Sequence, residues 1–398
     1  MATNTLDARE LRRLTSVFLE AYPPGTTERL TFLRARFDAG LAWVHYPEGL
    51  GGLGAPRSLQ AVVDAGFEAA NAPAGNGPDV NGIGLGMAAP TILHYGTQEQ
   101  KKRFLRPLWT GEEIWCQLFS EPGAGSDLAG LATRAVRDGD TWIVDGQKVW
   151  TSSAHLADFA ILIARTDPEV PKHRGITYFL CDMHDPGVEV RPLRQITGEA
   201  EFNEVFLSGV RIPDAHRLGA VGDGWKVAQT TLNNERVAIG GARIPREGGM
   251  LGIVADAWRA HPGNRTPDLH QRLLRLWVEA EALRLSGRRL RQQLAVGQPG
   301  PEGSGMKLGM ARMHQELSGL EVELMGEEGL VYDDWTRSRP QTVDFLGREA
   351  GYRYLRAKGN SIEGGTSEIL LNIIAERVLG LPAEPRTDKD AAWKDLPR

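Results

Sequence analysis

Between residues 114 and 220 the spacing of apolar residues changes from a helical to a strand period, and it changes back at Gly224. This double switch limits the fold more than any other feature of the chain. The runs "DFAILIART" (158–166), "GITYFLCDM" (175–183), "GVEVRPL" (187–193) and "FNEVFLSGVRIP" (202–213) are short and separated by turn residues, the pattern of a small barrel or sandwich. In "TWIVDGQKVW" (141–150), Asp145-Gly146 stands between two apolar arms and predicts a hairpin turn. Upstream, 27–44, 57–72 and 98–113 carry apolar residues at helical spacing. Downstream, 224–244, 269–296, 304–326 and 365–380 form long apolar-striped helices, the signature of an up-down bundle.

The fold class is therefore α+β in three units: an N-terminal α-helical domain over 1–113, a middle β domain, barrel or sandwich, over 114–222, and a C-terminal helical bundle over 223–398. "VGQPGPEGSG" (296–305) reads as a loop inside the bundle, and "PAEPRTDKDAAWKDLPR" (382–398) as a polar, loosely ordered tail. The glycines of "GLGGLG" (49–54) open no helix after a strand, so they are turns and not a dinucleotide fingerprint.

A formal charge of −5 gives no basic face for nucleic acid or an anionic membrane, so an anionic substrate would need a local basic site. Cys116 and Cys181 make neither a disulfide framework nor a metal spacing, which fits buried thiols in a reducing compartment. The first residues carry no apolar signal core, and "FAILIA" (159–164) is too short to span a bilayer. A soluble, cytoplasmic protein is expected.

The sharpest local feature is "LFSEPGAGSDLAGL" (118–131), where Ser120, Gly123, Gly125 and Ser126 gather hydroxyls and bare amides into one loop. Such a loop can bring backbone N–H groups close to an oxygen-rich ligand. "SEPGAGSD", followed by "GQKVWTSSA" and "GGTSEI…NIIAERVLGLP", closely resembles the acyl-CoA dehydrogenase family. "YPEGLGGLG", "GTQEQKKRFL", "GITYFL" and "GDGW…NNER" extend the resemblance over most of the chain.

That resemblance implies an N-terminal α-helical domain, a middle β-barrel domain and a C-terminal four-helix bundle. It implies an FAD enzyme that removes the α-proton and β-hydride of an acyl-CoA thioester and passes electrons to an electron-transferring flavoprotein. It implies a homo-oligomer, dimer or tetramer, or a hetero-oligomer with a homologous subunit. By matching position, Phe119, Ser120, Gly125, Ser126, Trp150 and Ser152 would meet the flavin, while Thr366 and Glu368 would approach the FAD diphosphate and adenosine. Ser126, Asn233, Arg236 and Gly364 would face the substrate. Same-fold flavin oxidases and monooxygenases, and a non-catalytic subunit, are the competing readings.

The thioester α-proton is weakly acidic, so the developing enolate needs fixed hydrogen bonds and a base in a dry site. In the commonest family arrangement that base precedes Gly-Thr-Ser, where this chain has Gly364; Glu363 stands one residue early. One step turns a side chain by roughly 100° on a helix, or to the opposite side of an extended chain. A second family arrangement places the base in a Glu-Arg pair on the first bundle helix, and Glu235-Arg236 matches it. Glu235 is thus the expected base, with Glu363 the lesser alternative. On the adenosine side "RAHPGNRTPDLHQ" lacks the family's Arg-x-x-Phe-Gly, leaving Arg265 as a stand-in, and "ELMGEEG" has Glu323 where glutamine is usual.

Overall fold

The computed structural model describes residues 6–75, 78–240, 245–294, 301, 303–332, 335–340, 344–385 and 388–397; the side chains of 78–80, 236–240 and 294 lie outside that description. The N-terminal stretch forms α1 (Ala8–Ala21), α2 (Arg29–Asp38), α3 (Gln60–Ala69), α4 (Pro78–Ile83), α5 (Ala89–Tyr95) and α6 (Gln98–Thr110), with a π-turn over Gly84–Ala88. The start of α6 is fixed by a reciprocal cap. The Thr97 hydroxyl accepts from Gln100 N at 3.2 Å, and the Gln100 amide oxygen accepts from Thr97 N at 2.8 Å.

The middle stretch forms β1 (Trp115–Leu118), β2 (Arg134–Asp138), β3 (Thr141–Ser152), β4 (Phe159–Arg165), β5 (Ile176–Asp182), β6 (Val188–Pro192), β7 (Phe202–Pro213) and β8 (Arg217–Leu218). They make one sheet in the order β6-β7-β3-β2-β4-β5-β8, with β1 parallel to β4. The sheet curls around a core of Cys116, Leu118, Trp142, Val144, Leu162, Phe179, Val205 and Leu207.

β4 explains how this barrel joins the helices. All seven of its residues are buried. Ala160, Leu162 and Ala164 point into the barrel, while Phe159, Ile161 and Ile163 belong to the core shared with the N-terminal helices. Period-two alternation therefore feeds two cores from one strand, and burying each large apolar side chain contributes about 1.5–3 kcal/mol.

The hairpin expected at Asp145-Gly146 does not form. β3 continues through it, and the turn to β2 is Gly139-Asp140, with Gly139 at φ +61°. Asp145-Gly146 is instead a register shift against β7. A Cβ on Gly146 would lie 2.3 Å from Thr133 Oγ1, so the glycine permits close packing.

The C-terminal stretch forms α7 (Gly224–Gly240), α8 (Gly249–Ala260), α9 (Pro267–Leu294), α10 (Gly303–Met325), α11 (Ala350–Ala357) and α12 (Ser367–Ile373), the last followed by a π-turn over Ile374–Val378. Sequence reasoning did not anticipate α8. Its Met250, Leu251 and Val254 pack on Leu273 and Leu276 of α9 and Leu317, Leu320 and Leu324 of α10. The loop expected over 296–305 falls largely outside the described residues.

The tail expected to be loose is docked over residues 388–397. Trp393 N donates to Val170 O at 3.0 Å, and Lys394 N to Pro168 O at 3.1 Å. Its polar composition misled because one tryptophan and a few backbone hydrogen bonds are enough to hold it.

α7 lies where the three units meet. Thr231 Oγ1 is 3.0 Å from Thr91 Oγ1 of α5 and 3.0 Å from the Tyr178 hydroxyl of β5. Among the described residues, no helix is long and apolar enough to cross a membrane.

Candidate functional site

The loop after β1 is held by a buried ion pair. Lys148 Nζ donates to Glu121 Oε1 at 2.8 Å and to Phe119 O at 3.0 Å; the Lys148 side chain is fully buried. Glu121 also accepts from Ala132 N at 2.6 Å and Thr133 N at 2.9 Å. Burial pushes the Glu121 carboxyl up, but the Lys148 ammonium and these hydrogen bonds together hold it below its ordinary range. The Ser120 carbonyl is fixed in turn by Val149 N at 2.9 Å. Phe119 sends its ring into the core, edge-on to Tyr178 at 5.9 Å, and so offers a ligand its backbone only. Gly125 and Ser126 are exposed, and a Cβ on Gly125 would meet nothing within 4 Å.

Trp150 ends this rim in an unusual state. It is 57% exposed and sits at φ +59°, a backbone region that bulky residues avoid. Its indole stands edge-on to Phe202 at 5.9 Å, and Phe202 pairs in register with Ser152. The Arg356 guanidinium lies 5.5 Å from the Phe202 ring and donates to both Glu363 oxygens at 3.0 and 3.1 Å. Trp150, Ser152 and Glu363 are thus joined through two residues that sequence reasoning missed.

Glu363 leads into Gly364 and Gly365, at φ +61° and +90°. Two successive positive φ values suit glycine and little else. The turn is clasped by Lys307 of α10, almost fully buried, whose Nζ donates to Asn360 O and Gly365 O at 2.7 Å each. Burial lowers the Lys307 pKa, and the negative charges of Glu363 and Glu235 oppose that shift. Both carboxylates are therefore within electrostatic reach of one ammonium. Glu235 stands four residues after Thr231 on α7, on the face that meets α5 and β5.

The remaining expected residues divide. Thr366 caps α12, its hydroxyl accepting from Ile369 N at 3.2 Å, and Glu368 is exposed in the first turn. Asn233 is half-buried on α7; the Arg236 side chain lies outside the described residues. Arg265 donates to Trp258 O at 2.8 Å and Arg259 O at 3.0 Å, so it closes the end of α8. Glu323 pairs with Arg272. Within this chain, neither residue lies with the Trp150 rim.

Two further groups adjoin the turn. Glu201 is buried, its carboxyl pushed up by burial, and accepts from Arg356 Nε at 3.1 Å. His314 Nδ1 is 3.0 Å from Asn360 Nδ2, beside a cavity of about 400 Å³ lined by Met250, Met306, Met310, Met313 and Phe345. The signal that could have found Lys148 and Lys307 was a lysine at an inward position of an otherwise apolar strand or helix face. No cluster of His, Cys, Asp or Glu able to hold a metal occurs among the described residues.

Comparison with known proteins places all three units. Residues 18–112, 116–210 and 222–379 match the N-terminal, middle and C-terminal domains of acyl-CoA dehydrogenase. The chain is 46% identical over 349 residues to the acyl-CoA dehydrogenase FadE34 of Mycobacterium tuberculosis, covering 87% of this chain but only 45% of that protein. It is 39% identical over 365 residues to IpdE1 of the same organism, covering 90% and 89%.

Among solved structures, the Tcur3481-Tcur3483 steroid ACAD matches with TM-score 0.71 at 28% identity, covering 95% of this chain and 98% of that one. The ChsE4-ChsE5 complex of Mycobacterium tuberculosis matches with TM-score 0.68 at 27% identity, covering 96% and 100%. Proteins of this family are FAD flavoproteins. The exposed Trp150 indole leaves an aromatic face open to a flat ring system. Thr151 Oγ1, buried without a hydrogen-bond partner among the described residues, lies on the same strand end. Three domain matches in family order, over a fold with the same three units, make this chain a member of the acyl-CoA dehydrogenase family.

Proposed function

We propose that the chain catalyses α,β-dehydrogenation of an acyl-CoA thioester to the trans-2-enoyl-CoA, with Glu235 as the base. The observation that carries this reading is the turn itself. Gly364 stands where the commonest family arrangement has a carboxylate, Glu363 is held by Arg356, and the charge of Glu235 on α7 acts with that of Glu363 on the Lys307 ammonium that clasps the turn. FAD, when bound, supplies the hydride acceptor. Glu235 takes the α-proton, while Ser126, on the loop pinned by Lys148 and Glu121, orients the thioester.

A bulky acyl group suits a turn without a side chain at Gly364, and one structural neighbour, the Tcur3481-Tcur3483 protein, is a steroid ACAD. Electrons pass to an electron-transferring flavoprotein. A second subunit, identical or homologous, completes the adenosine half of FAD in this reading, and Arg265 and Glu323 serve internal contacts of the chain. Buried Cys116 and Cys181 accord with a cytoplasmic setting.

The test is anaerobic mixing of the purified yellow protein with a panel of straight-chain, branched and ring-bearing acyl-CoA thioesters. Bleaching of the flavin absorbance is expected with at least one. Rapid oxygen consumption with peroxide release would move the assignment to a flavin oxidase. A chain colourless both alone and with its homologous partner would favour a non-catalytic subunit.

A further inference from the structure

The geometry points to residues 388–397 as a strap that holds the Ser126 loop in shape for acyl-CoA, with Trp393 as its positioning residue. The inference rests on the role given to Ser126 under the proposed function.

Three successive carbonyls follow that loop, and each is taken by one of two side chains. Arg165 Nη2 donates to Ala129 O at 2.6 Å and its Nε to Leu131 O at 3.1 Å. Trp393 Nε1 donates to Gly130 O, between them, at 3.1 Å. The two side chains also hold each other, since the Arg165 guanidinium lies 4.4 Å from the Trp393 ring. Arg165 is buried, and the indole covers its charged end.

The strap is anchored on both sides of this contact. Ala392 bridges to Pro171, Trp393 N donates to Val170 O, and Lys394 pairs with Glu169 at 2.5 Å. Lys172 links the strap to the loop directly, meeting Asp388 at 2.6 Å and Asp127 at 2.9 Å. Asp127 is the residue after Ser126. The segment 122–126, exposed except at Ala124, is therefore pinned at one end by Glu121–Lys148 and at the other by Asp127 and the strap. Loops at ligand sites otherwise come from the least stable parts of a fold. Fixing both ends lowers the ordering cost of binding without touching the reacting atoms.

The experiment uses the full-length flavoprotein. Trp393→Ala should raise amide exchange of residues 126–131 at least tenfold and raise KM for acyl-CoA about fivefold or more. kcat should stay within twofold and flavin content should be unchanged. Trp393→Phe, which keeps the ring over Arg165 but loses the Nε1 donor, should fall between. Wild-type exchange and wild-type KM in Trp393→Ala would overturn the proposal. If that variant fails to fold, Asp388→Asn decides, with a two- to threefold rise in KM expected and an unchanged KM counting against the strap. The exchange measurement needs no substrate. A wild-type chain that no acyl-CoA bleaches would thus remove the proposed activity, while the strap is still judged by the loop's protection.

Discussion

Arg356 grips Glu363 with two nearly equal hydrogen bonds while its Nε serves Glu201 on the barrel side. A carboxylate held this way is a structural anion. Burial works against the charge on Arg356, and Glu363 with Glu201 raises its pKa all the same. Glu363→Gln should therefore keep flavin bleaching within about threefold of wild type. Arg356→Met strands the buried Glu201 and should lower unfolding stability by about 3–5 kcal/mol, read from urea midpoints. Bleaching abolished in Glu363→Gln would return the base to the turn.

Glu235→Gln separates chemistry from cofactor binding. The amide keeps the shape of the side chain but accepts no proton. Bleaching by a good acyl-CoA should slow by roughly 10²–10⁴-fold, with the visible spectrum of bound flavin preserved. Unchanged bleaching kinetics in this variant would remove Glu235 from the mechanism.

Trp150 combines exposure with a left-handed backbone, a pairing that stability alone would not select. Trp150→Gly relieves the backbone and sacrifices only the edge contact with Phe202. Apoprotein stability should change by no more than about 1 kcal/mol, whereas flavin should dissociate at least tenfold faster. A variant several kcal/mol less stable that holds flavin normally would make Trp150 a packing residue instead.

Two partly buried histidines set an acid limit. Burial pushes His314 down to about 4, and His45 likewise to about 4. Both are neutral in the folded chain at a pH where the unfolded chain, with ordinary values near 6.5, takes up protons. Their contribution is complete above about pH 6.5 and declines as pH falls towards 4. At about 1.4 kcal/mol per unit the ceiling for His314 is roughly 3 kcal/mol. His314→Gln should flatten part of the slope of urea midpoints between pH 7 and 4.5. An identical slope would show that His314 titrates normally.

The order helix, barrel, bundle was legible because apolar period is a local property, and the barrel between two helical zones admits few alternatives. The emptiness at Gly364 was legible too, since it needs only register. Asp145-Gly146 was misjudged because the same dipeptide suits a tight turn and a bulge, and only Thr133, thirteen residues upstream, decides between them. Trp393 was overlooked because its partners, Gly130 and Arg165, are more than two hundred residues away. Lys148, Lys307 and Arg356 were invisible as site residues for a related reason. A lone cation in a sequence gives no hint of which carbonyls will surround it.

β4 has a consequence for how the molecule can be taken apart. Its odd and even residues are committed to different neighbours, so the barrel cannot be lifted from the helices without wetting Phe159, Ile161 and Ile163, and with them Tyr178 on β5. Residues 114–222 expressed alone would carry an oily wall and should aggregate. The intact chain should melt in one transition, because the strand that closes the first core is also the floor of the second.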